Sequence, residues 1–473
     1  MNAGLDKIIY HFNEQEPFTV RDACEGIQIF GGIGSGKTSG SGEAFARAFL
    51  KAGFGGLVLC AKKDVLDDWQ RYAKETGRSN SVLVFDASGN YVFPFLHYEI
   101  EREGEGAGYT ENLVRLFTTV YESIDGSSGG DKSDPYWVRA MQQLLRNTID
   151  LCLIARRTVS VPMISEVILS APINEEQIDD PKWQEKSLCW KLLVEGNGLQ
   201  LDKWRDHDFQ STARFWMKEY PGLGERTRSS IESMLSSMLD ILERRPFRML
   251  FSETPEDPSK IAYPELTHHG AIIILNLPVK EYGDAGRAAQ VIYKYLWQQA
   301  VERRKVGKDT KPVFLWVDEA QHFVGEYDML FQATARSSMA CTVYMTQNLP
   351  NYYAQMGGEQ SRNKVDSLVG NLQTKIWHAN SDITTNDYAA NVIGKNWLLQ
   401  KNQSESFGIG HFNVATNQHK NFEYELPPQY FTKLKKGGPG NKNIVEAVVF
   451  QNGRIWRNQK TFLFAEFKQS LHE

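Results

Sequence analysis

Hydrophobic positions along this chain fall first into short unbroken runs, then take helical spacing through the middle of the sequence, and return to short runs near the end. Ile27, Ile29 and Phe30 lead into a turn from Gly31 to Gly36; an apolar stretch from Phe45 to Leu50 follows, and then Gly56, Leu57, Val58 and Leu59. Residues 25–62 therefore predict a strand, a glycine-rich turn, a helix and a second strand. Further strand-length runs lie at Val82 to Phe85, Ala271 to Leu275, Val313 to Val317, Thr342 to Met345 and Lys375 to Trp377. Most are separated by helix-compatible segments, the pattern of a mostly parallel sheet wound on both faces. Between about Glu99 and Ile261 the spacing becomes helical, as in Tyr136 to Ile154 and in Glu225 to Arg244. The latter puts Ile231, Met234, Leu235, Met238, Leu239 and Leu242 on one face. Gly126 to Gly130 reads as a flexible loop within this region, and Val445 to Phe450 and Thr461 to Phe467 read as closing strands around a turn at Asn452-Gly453. The expected architecture is an α/β core with a mostly parallel central sheet and an inserted all-α domain, divided as 1–98, 99–261 and 262–473.

The chain has 473 residues and a mass of 53.8 kDa, enough for two to four domains at roughly 100–200 residues each. Hydrophobic residues make up 41% and charged residues 23%, so the chain should be folded rather than disordered. No run approaches the roughly 18 apolar residues of a membrane helix, and Asp6, Glu14 and Glu16 near the start do not form a signal peptide. A cytoplasmic location without direct membrane insertion is expected. The five cysteines are odd in number, widely spaced and contain no C-x-x-C pair, so neither a disulfide framework nor a zinc site is indicated and a reduced compartment fits best. Net charge is −5, but from Lys395 onward eleven Lys and Arg face six Asp and Glu, giving this tail +5 and the rest −10.

The turn carries the chemistry. Gly31-Gly32-Ile33-Gly34-Ser35-Gly36-Lys37-Thr38 matches G-x-x-x-x-G-K-[ST] in full. Glycines allow backbone N–H groups to converge on phosphate oxygens, Lys37 can bridge the outer phosphates, and Thr38 can ligate magnesium. A magnesium nucleotide also needs a carboxylate at a neighbouring strand end, and Val313 to Val317 followed by Asp318-Glu319 supplies one. Asp318 would hold the metal through water, and Glu319 would orient and deprotonate an attacking water. Gln347, just past the strand Thr342 to Met345, could sense the γ-phosphate or simply cap the strand. Arg336 could be an arginine finger reaching a neighbouring subunit or a solvated helix arginine.

With these residues in place the chain resembles the HerA/FtsK superfamily of ring ATPases, and most of all the TraG/TraD-type coupling proteins of conjugative type IV secretion. Asp318-Glu319-Ala320-Gln321, Ala335-Arg336 and Met345-Thr346-Gln347-Asn348 are similar to that family's Walker B strand, arginine and glutamine-ended strand in order and spacing. Pro135-Tyr136-Trp137 and Arg226 to Leu242 resemble segments of its all-α domain, and Leu434-Lys435-Lys436-Gly437-Gly438 its C-terminal end, so the likeness covers nearly the whole chain. The resemblance implies a RecA-like P-loop NTPase core, ATP and Mg2+, DNA, and self-association, with a homo-hexameric ring pumping single- or double-stranded DNA. A relaxase, a nuclease or a membrane secretion component are the further partners it suggests. Two departures stand out: membrane-bound coupling proteins carry N-terminal transmembrane helices that this chain does not show, and Ala61-Lys62-Lys63-Asp64 stands where the family has an Asp-Pro-Lys-Gly type stretch, which leaves a role for Lys63 open. A secretion ATPase that moves protein or pilus subunits, and a nucleotide-gated docking platform, are the competing functions.

Overall fold

The computed structural model describes residues 4–125, 135–357, 360–408 and 411–470; the glycine-rich loop expected at Gly126 to Gly130 lies outside them. Its strands are β1 (Ile8–Asn13), β2 (Glu16–Thr19), β3 (Ile27–Phe30), β4 (Gly55–Leu59), β5 (Val82–Asp86), β6 (Ile272–Asn276), β7 (Val313–Val317), β8 (Ala340–Thr346), β9 (Thr374–Trp377), β10 (Lys395–Gly408), β11 (His411–Tyr424), β12 (Ile444–Gln451) and β13 (Phe462–Lys468). Every strand-length run in the sequence becomes part of one nine-stranded sheet, in the order β13-β12-β9-β3-β8-β7-β4-β6-β5. From β9 to β5 all neighbours are parallel, and β12 and β13 extend the sheet antiparallel beyond β9.

Both faces of this sheet are covered, which is why its strands read as continuous apolar runs rather than as alternations. In β7, Val313, Leu315 and Val317 enter the apolar core on one face, while Phe314 and Trp316 enter that on the other. The second core is closed by the helices Glu43–Lys51 and Asp64–Glu75 and by the β1–β2 hairpin, through Phe12, Phe18, Phe45, Phe49 and Trp69. The first core holds the long helix Val279–Arg303 and runs without a break into the helical segment between β5 and β6. That segment includes the helices Thr110–Asp125, Pro135–Arg156 and Glu225–Glu243. On the last, Ile231, Leu235, Met238, Leu239 and Leu242 are buried as the spacing requires, and Met234 is half-buried. The chain enters and leaves the segment through a single parallel bridge between Val92 and Ile261, with Val92 N donating to the Lys260 carbonyl and Ala262 N to the Val92 carbonyl, each at 2.9 Å. Among the described residues no helix is long and apolar enough to cross a membrane.

Three features depart from the sequence reading. The long antiparallel hairpin β10–β11 was not expected, because its two strands are mostly polar and lack a one-sided apolar alternation. The hairpin β1–β2 was missed as well. The connection from β12 to β13 spans residues 452–461, so the Asn452-Gly453 turn is only its beginning.

A buried polar cluster ties the segment after β7 to the sheet. Asp328 accepts from Lys294 Nζ at 2.5 Å, Gln298 Nε2 at 2.8 Å, Tyr344 OH at 2.7 Å and Gly325 N at 2.7 Å, while Lys294 also donates to the Phe323 carbonyl at 2.6 Å. Lys294 and Asp328 are 3% and 2% exposed, so neither charge can turn to water. Asp328→Ala is expected to lower folding stability by about 3–5 kcal/mol, the cost of a buried charge left unpaired, measured as a reduced urea midpoint. The double variant Lys294→Met/Asp328→Leu should recover only part of that loss, since it removes the orphaned charge but leaves Gln298 and Tyr344 without their acceptor. A midpoint equal to wild type in the single variant would refute the account.

Candidate functional site

Because β3, β8, β7 and β4 are parallel neighbours, their C-terminal ends bring four short loops to one edge of the sheet. The loop after β3 is the glycine-rich turn. It is pinned where it leaves the strand: Gly31 N donates to the Thr346 carbonyl at 3.2 Å and Gly32 N to the Ala379 carbonyl at 2.9 Å. Gly36 has φ +82°, and a Cβ there would lie 2.6 Å from Val445 Cγ2 of β12. Both the backbone geometry and the close approach demand glycine. The helix after the turn opens as a π-helical turn over Thr38–Gly42 before becoming α-helical at Glu43; π turns concentrate at functional sites. Ser41 donates to His378 Nε2 at 2.7 Å, because the ring's other nitrogen must donate to the Glu446 carbonyl at 3.0 Å. Burial pushes the His378 pKa down to about 4; the bond to Glu446 works the other way, and the charge of Lys37 lowers it further. His378 is therefore a neutral brace. With Gln469, which donates to Ser39 Oγ at 2.6 Å, it lets the C-terminal strands support the loop from behind.

Asp318 and Glu319 follow β7. Thr38 Oγ1 donates to Asp318 Oδ2 at 3.0 Å, and Asp318 Oδ1 accepts from Glu319 N at 2.8 Å. This couples the two residues expected to share a metal. Glu319 sits in the left-handed region, φ 52° and ψ 50°, a conformation uncommon for a residue with a side chain and enriched where function constrains the backbone. Its carboxylate is 5% exposed and lies 2.8 Å from Lys62 Nζ and 3.6 Å from Lys37 Nζ. Gln321 Nε2 donates to Oε2 at 2.9 Å, and Gln321 is itself held by Thr346 Oγ1 at 2.8 Å. Burial raises the Glu319 pKa, but Lys37, Gln321 and Lys62 together outweigh it and hold the group at about 2, down from 4.5. The stability this pairing contributes is complete above about pH 4.5 and is lost as pH falls towards 2. For Lys62, burial opposes the charge, and Glu319 and Asp318 outweigh it, so its pKa is raised.

A cavity of about 320 Å³ opens between the turn and the helix after β4, lined by Gly32, Gly34, Ser35, Gly36, Lys37, Thr38 and Ser39 on one side and by Lys62, Asp68, Arg71 and Tyr72 on the other. The Ser35 hydroxyl is buried at the loop and has no hydrogen-bond partner. An orphaned donor of this kind among glycines, a lysine and a threonine–aspartate couple fits a magnesium-bound phosphate chain. Ile33, by contrast, is 83% exposed at the tip of the turn.

The remaining two candidates fall in different places. Gln347 lies at the end of β8, between the turn and the acidic pair; its carbonyl accepts from Asn380 Nδ2 at 2.9 Å, and the amide bonded to Glu319 is that of Gln321. Arg336 precedes β8 at the opposite edge of the sheet, where it pairs with Glu25 at 3.0 Å and cannot reach the turn of its own chain. Lys62, Gln321 and His378 were missed as site residues. Gln321 was visible inside Asp318-Glu319-Ala320-Gln321, but its task depends on backbone direction after Glu319. Nothing local in the sequence marks Lys62 over Lys63.

Residues 312–435 match the family model described as the TraM recognition site of TraD and TraG. No curated protein sequence matches the chain. Among solved structures, the unbound monoclinic form of the bacterial conjugative coupling protein TrwBdeltaN70 aligns with a TM-score of 0.59 at 13% identity, over 100% of this chain and 90% of that one. Plasmid coupling protein TrwB in complex with ADP and Mg2+ aligns with a TM-score of 0.59 at 13% identity, over 100% and 91%. The same protein with the GTP analogue GDPNP gives 0.60 at 12% identity, over 100% and 91%. The α/β fold with a P-loop core is thus shared with coupling proteins along the full length of the chain, and the matched segment contains Asp318 to Gln321, Ala335-Arg336 and Met345 to Asn348 of the TraG/TraD resemblance read from the sequence.

Gly36→Ala tests the local geometry. The left-handed penalty of about 1–2 kcal/mol and the clash with Val445 should lower the melting temperature and abolish nucleotide binding together, as read by thermal melts with and without nucleotide. An unchanged melt with unchanged binding would contradict the described turn.

Proposed function

We propose that this protein is a P-loop ATPase that translocates DNA as a ring, probed most simply as a homo-hexamer, and serves as a coupling-type motor in conjugative transfer. The observation that carries the reading is the joint placement of Thr38 on Asp318 at 3.0 Å and of Lys37 and Lys62 on Glu319 at the mouth of the P-loop cavity. The structural likeness to coupling proteins, one of them named as a complex with ADP and Mg2+, supports ATP with magnesium as the ligand here. Gly31, Gly32, Ile33, Gly34, Ser35 and Gly36 would wrap the phosphates, Lys37 would neutralise the outer ones, and Thr38 and Asp318 would hold the metal. When bound, magnesium neutralises charge on the phosphoryl oxygens. A carboxylate held at about 2 is a weak base, so Glu319 must lose lysine contacts before it can take a proton from water. Phosphates that attract Lys37 would remove the first of its two lysine contacts. Gln347, between the turn and the acidic pair, would sense the terminal phosphate. Arg336, at the far edge of the sheet, serves a site only across a subunit boundary.

The domain division at 98 and 261 belongs to the same proposal, supported by the bridge between Val92 and Ile261. A relaxase, a nuclease or a membrane secretion component are proposed partners, and the match of 312–435 to a family model described as a TraM recognition site supports a protein-docking role for that segment.

Glu319→Gln should bind ATP yet turn over at least about 100-fold more slowly, whereas Lys37→Ala should lose turnover with the fold intact. These are measured by phosphate release alongside nucleotide binding; loss of ATP binding in Glu319→Gln would remove the base assignment.

ATPase rate with and without single- and double-stranded DNA decides between the competing functions. DNA should stimulate turnover of the assembled protein, with an effect that fades towards about 200 mM salt as counterion release is lost. Mixing Arg336→Ala with Lys37→Ala subunits should restore partial activity where an intact arginine faces an intact P-loop. No stimulation at any salt would favour movement of protein, and nucleotide binding with negligible turnover would favour a docking platform.

A further inference from the structure

We infer that Lys62 is the residue by which this site tells a nucleoside triphosphate from a diphosphate. The inference rests on the nucleotide reading of the site and adds a role that the P-loop pattern does not contain. Lys62 follows the C-terminal end of β4, the strand paired with β7 on the side away from β8, and its ammonium group lies 2.8 Å from Glu319 Oε1. Lys37 faces the same oxygen at 3.6 Å. Thus two lysines share one carboxylate, while Asp318 is occupied by Thr38 and by the backbone of Glu319.

The two lysines differ in setting. Lys37 is 10% exposed and belongs to the turn itself, whereas Lys62 is 37% exposed and lines the opposite wall of the same cavity. Lys37 and the Thr38–Asp318 couple mark the end of the cavity where the outer phosphates and their metal would lie. Lys62 stands beyond that point, on the acidic side. A phosphate chain that ends at the second group is met by the turn and by Lys37 and leaves Lys62 on Glu319. One more phosphoryl group occupies the space between Lys62 and the turn and competes with Glu319 for the ammonium group. Lys37 and Lys62 balance Asp318 and Glu319 in charge. The added negative charge of a third phosphate therefore draws a cation from the carboxylate, and the one with the freer, more exposed side chain is Lys62. Its transfer frees Glu319 only when there is a terminal phosphate to hydrolyse. Lys63, its neighbour, caps the next helix with its backbone and is not part of the cavity lining described.

The test compares wild type, Lys62→Met and Lys62→Arg in equilibrium titrations with fluorescent ADP and a fluorescent non-hydrolysable ATP analogue, each with magnesium. Wild type should prefer the triphosphate. Lys62→Met should lose about tenfold or more of its affinity for the triphosphate, the scale of one charge-assisted hydrogen bond, and keep its ADP affinity within about twofold. Lys62→Arg should retain most of the preference. ADP binding serves as the internal check that each variant is folded. An unchanged ratio of the two affinities in Lys62→Met, whether both hold or both fall, would show that Lys62 only positions Glu319 and would overturn the inference, as would a wild type without preference. Failure of wild type to bind either nucleotide would instead refute the ATPase reading itself.

Discussion

The site exists because neighbouring strands run parallel and in register. With Phe30 opposite Thr346, and Val317 opposite both Tyr344 and Leu59, the ends of β3, β8, β7 and β4 form one line. Residues hundreds of positions apart then meet within hydrogen-bond distance, Thr38 with Asp318 and Lys62 with Glu319, and Thr346 at the end of β8 meets Gln321 after β7. Reversing any one of these strands would send its functional loop to the opposite edge, where Arg336 and Glu25 lie. The constraint is maintained by covering both faces, since parallel strands joined by helical crossovers hold only as a buried layer.

Charge balance sets the resting state of that line. Glu319 is buried in a left-handed turn, a position that would push its carboxyl towards neutrality. It stays ionised because two lysines and an amide surround it. The same contacts make it a poor base. Under the function proposed for this site, catalysis and restraint are alternatives for one carboxylate, chosen by whether phosphate is present to take the lysines.

Support for this arrangement comes from both sides of the sheet. On one side the Asp328 cluster fastens the segment after the acidic pair to the helix Val279–Arg303 and to β8. Towards the other end, β12 supplies Val445 against Gly36 and the Glu446 carbonyl to His378, while Gln469 reaches Ser39. The end of the chain is thus packed against the turn near its beginning. A neutral histidine at that junction avoids a further positive charge beside Lys37.

How much of this was legible follows from where each property is encoded. The strands of the central sheet were readable because burial on both faces forces unbroken apolar runs, and the helix Glu225–Glu243 because one buried face forces a 3.6-residue spacing. The phosphate turn and the acidic pair were readable because their chemistry sits in consecutive residues. The hairpin β10–β11 was not, since two polar strands pair through backbone groups that every residue carries. Lys62 and His378 were not, because a lysine after a strand and a histidine after another have no local mark of use. The sequence by itself determined the turn, the acidic pair and the alternation of strands and helices, all properties of neighbouring residues. Only the tertiary structure decided which lysine meets Glu319, which amide steadies it and which edge receives Arg336, because those depend on strand order and register, and these are settled by packing between distant segments.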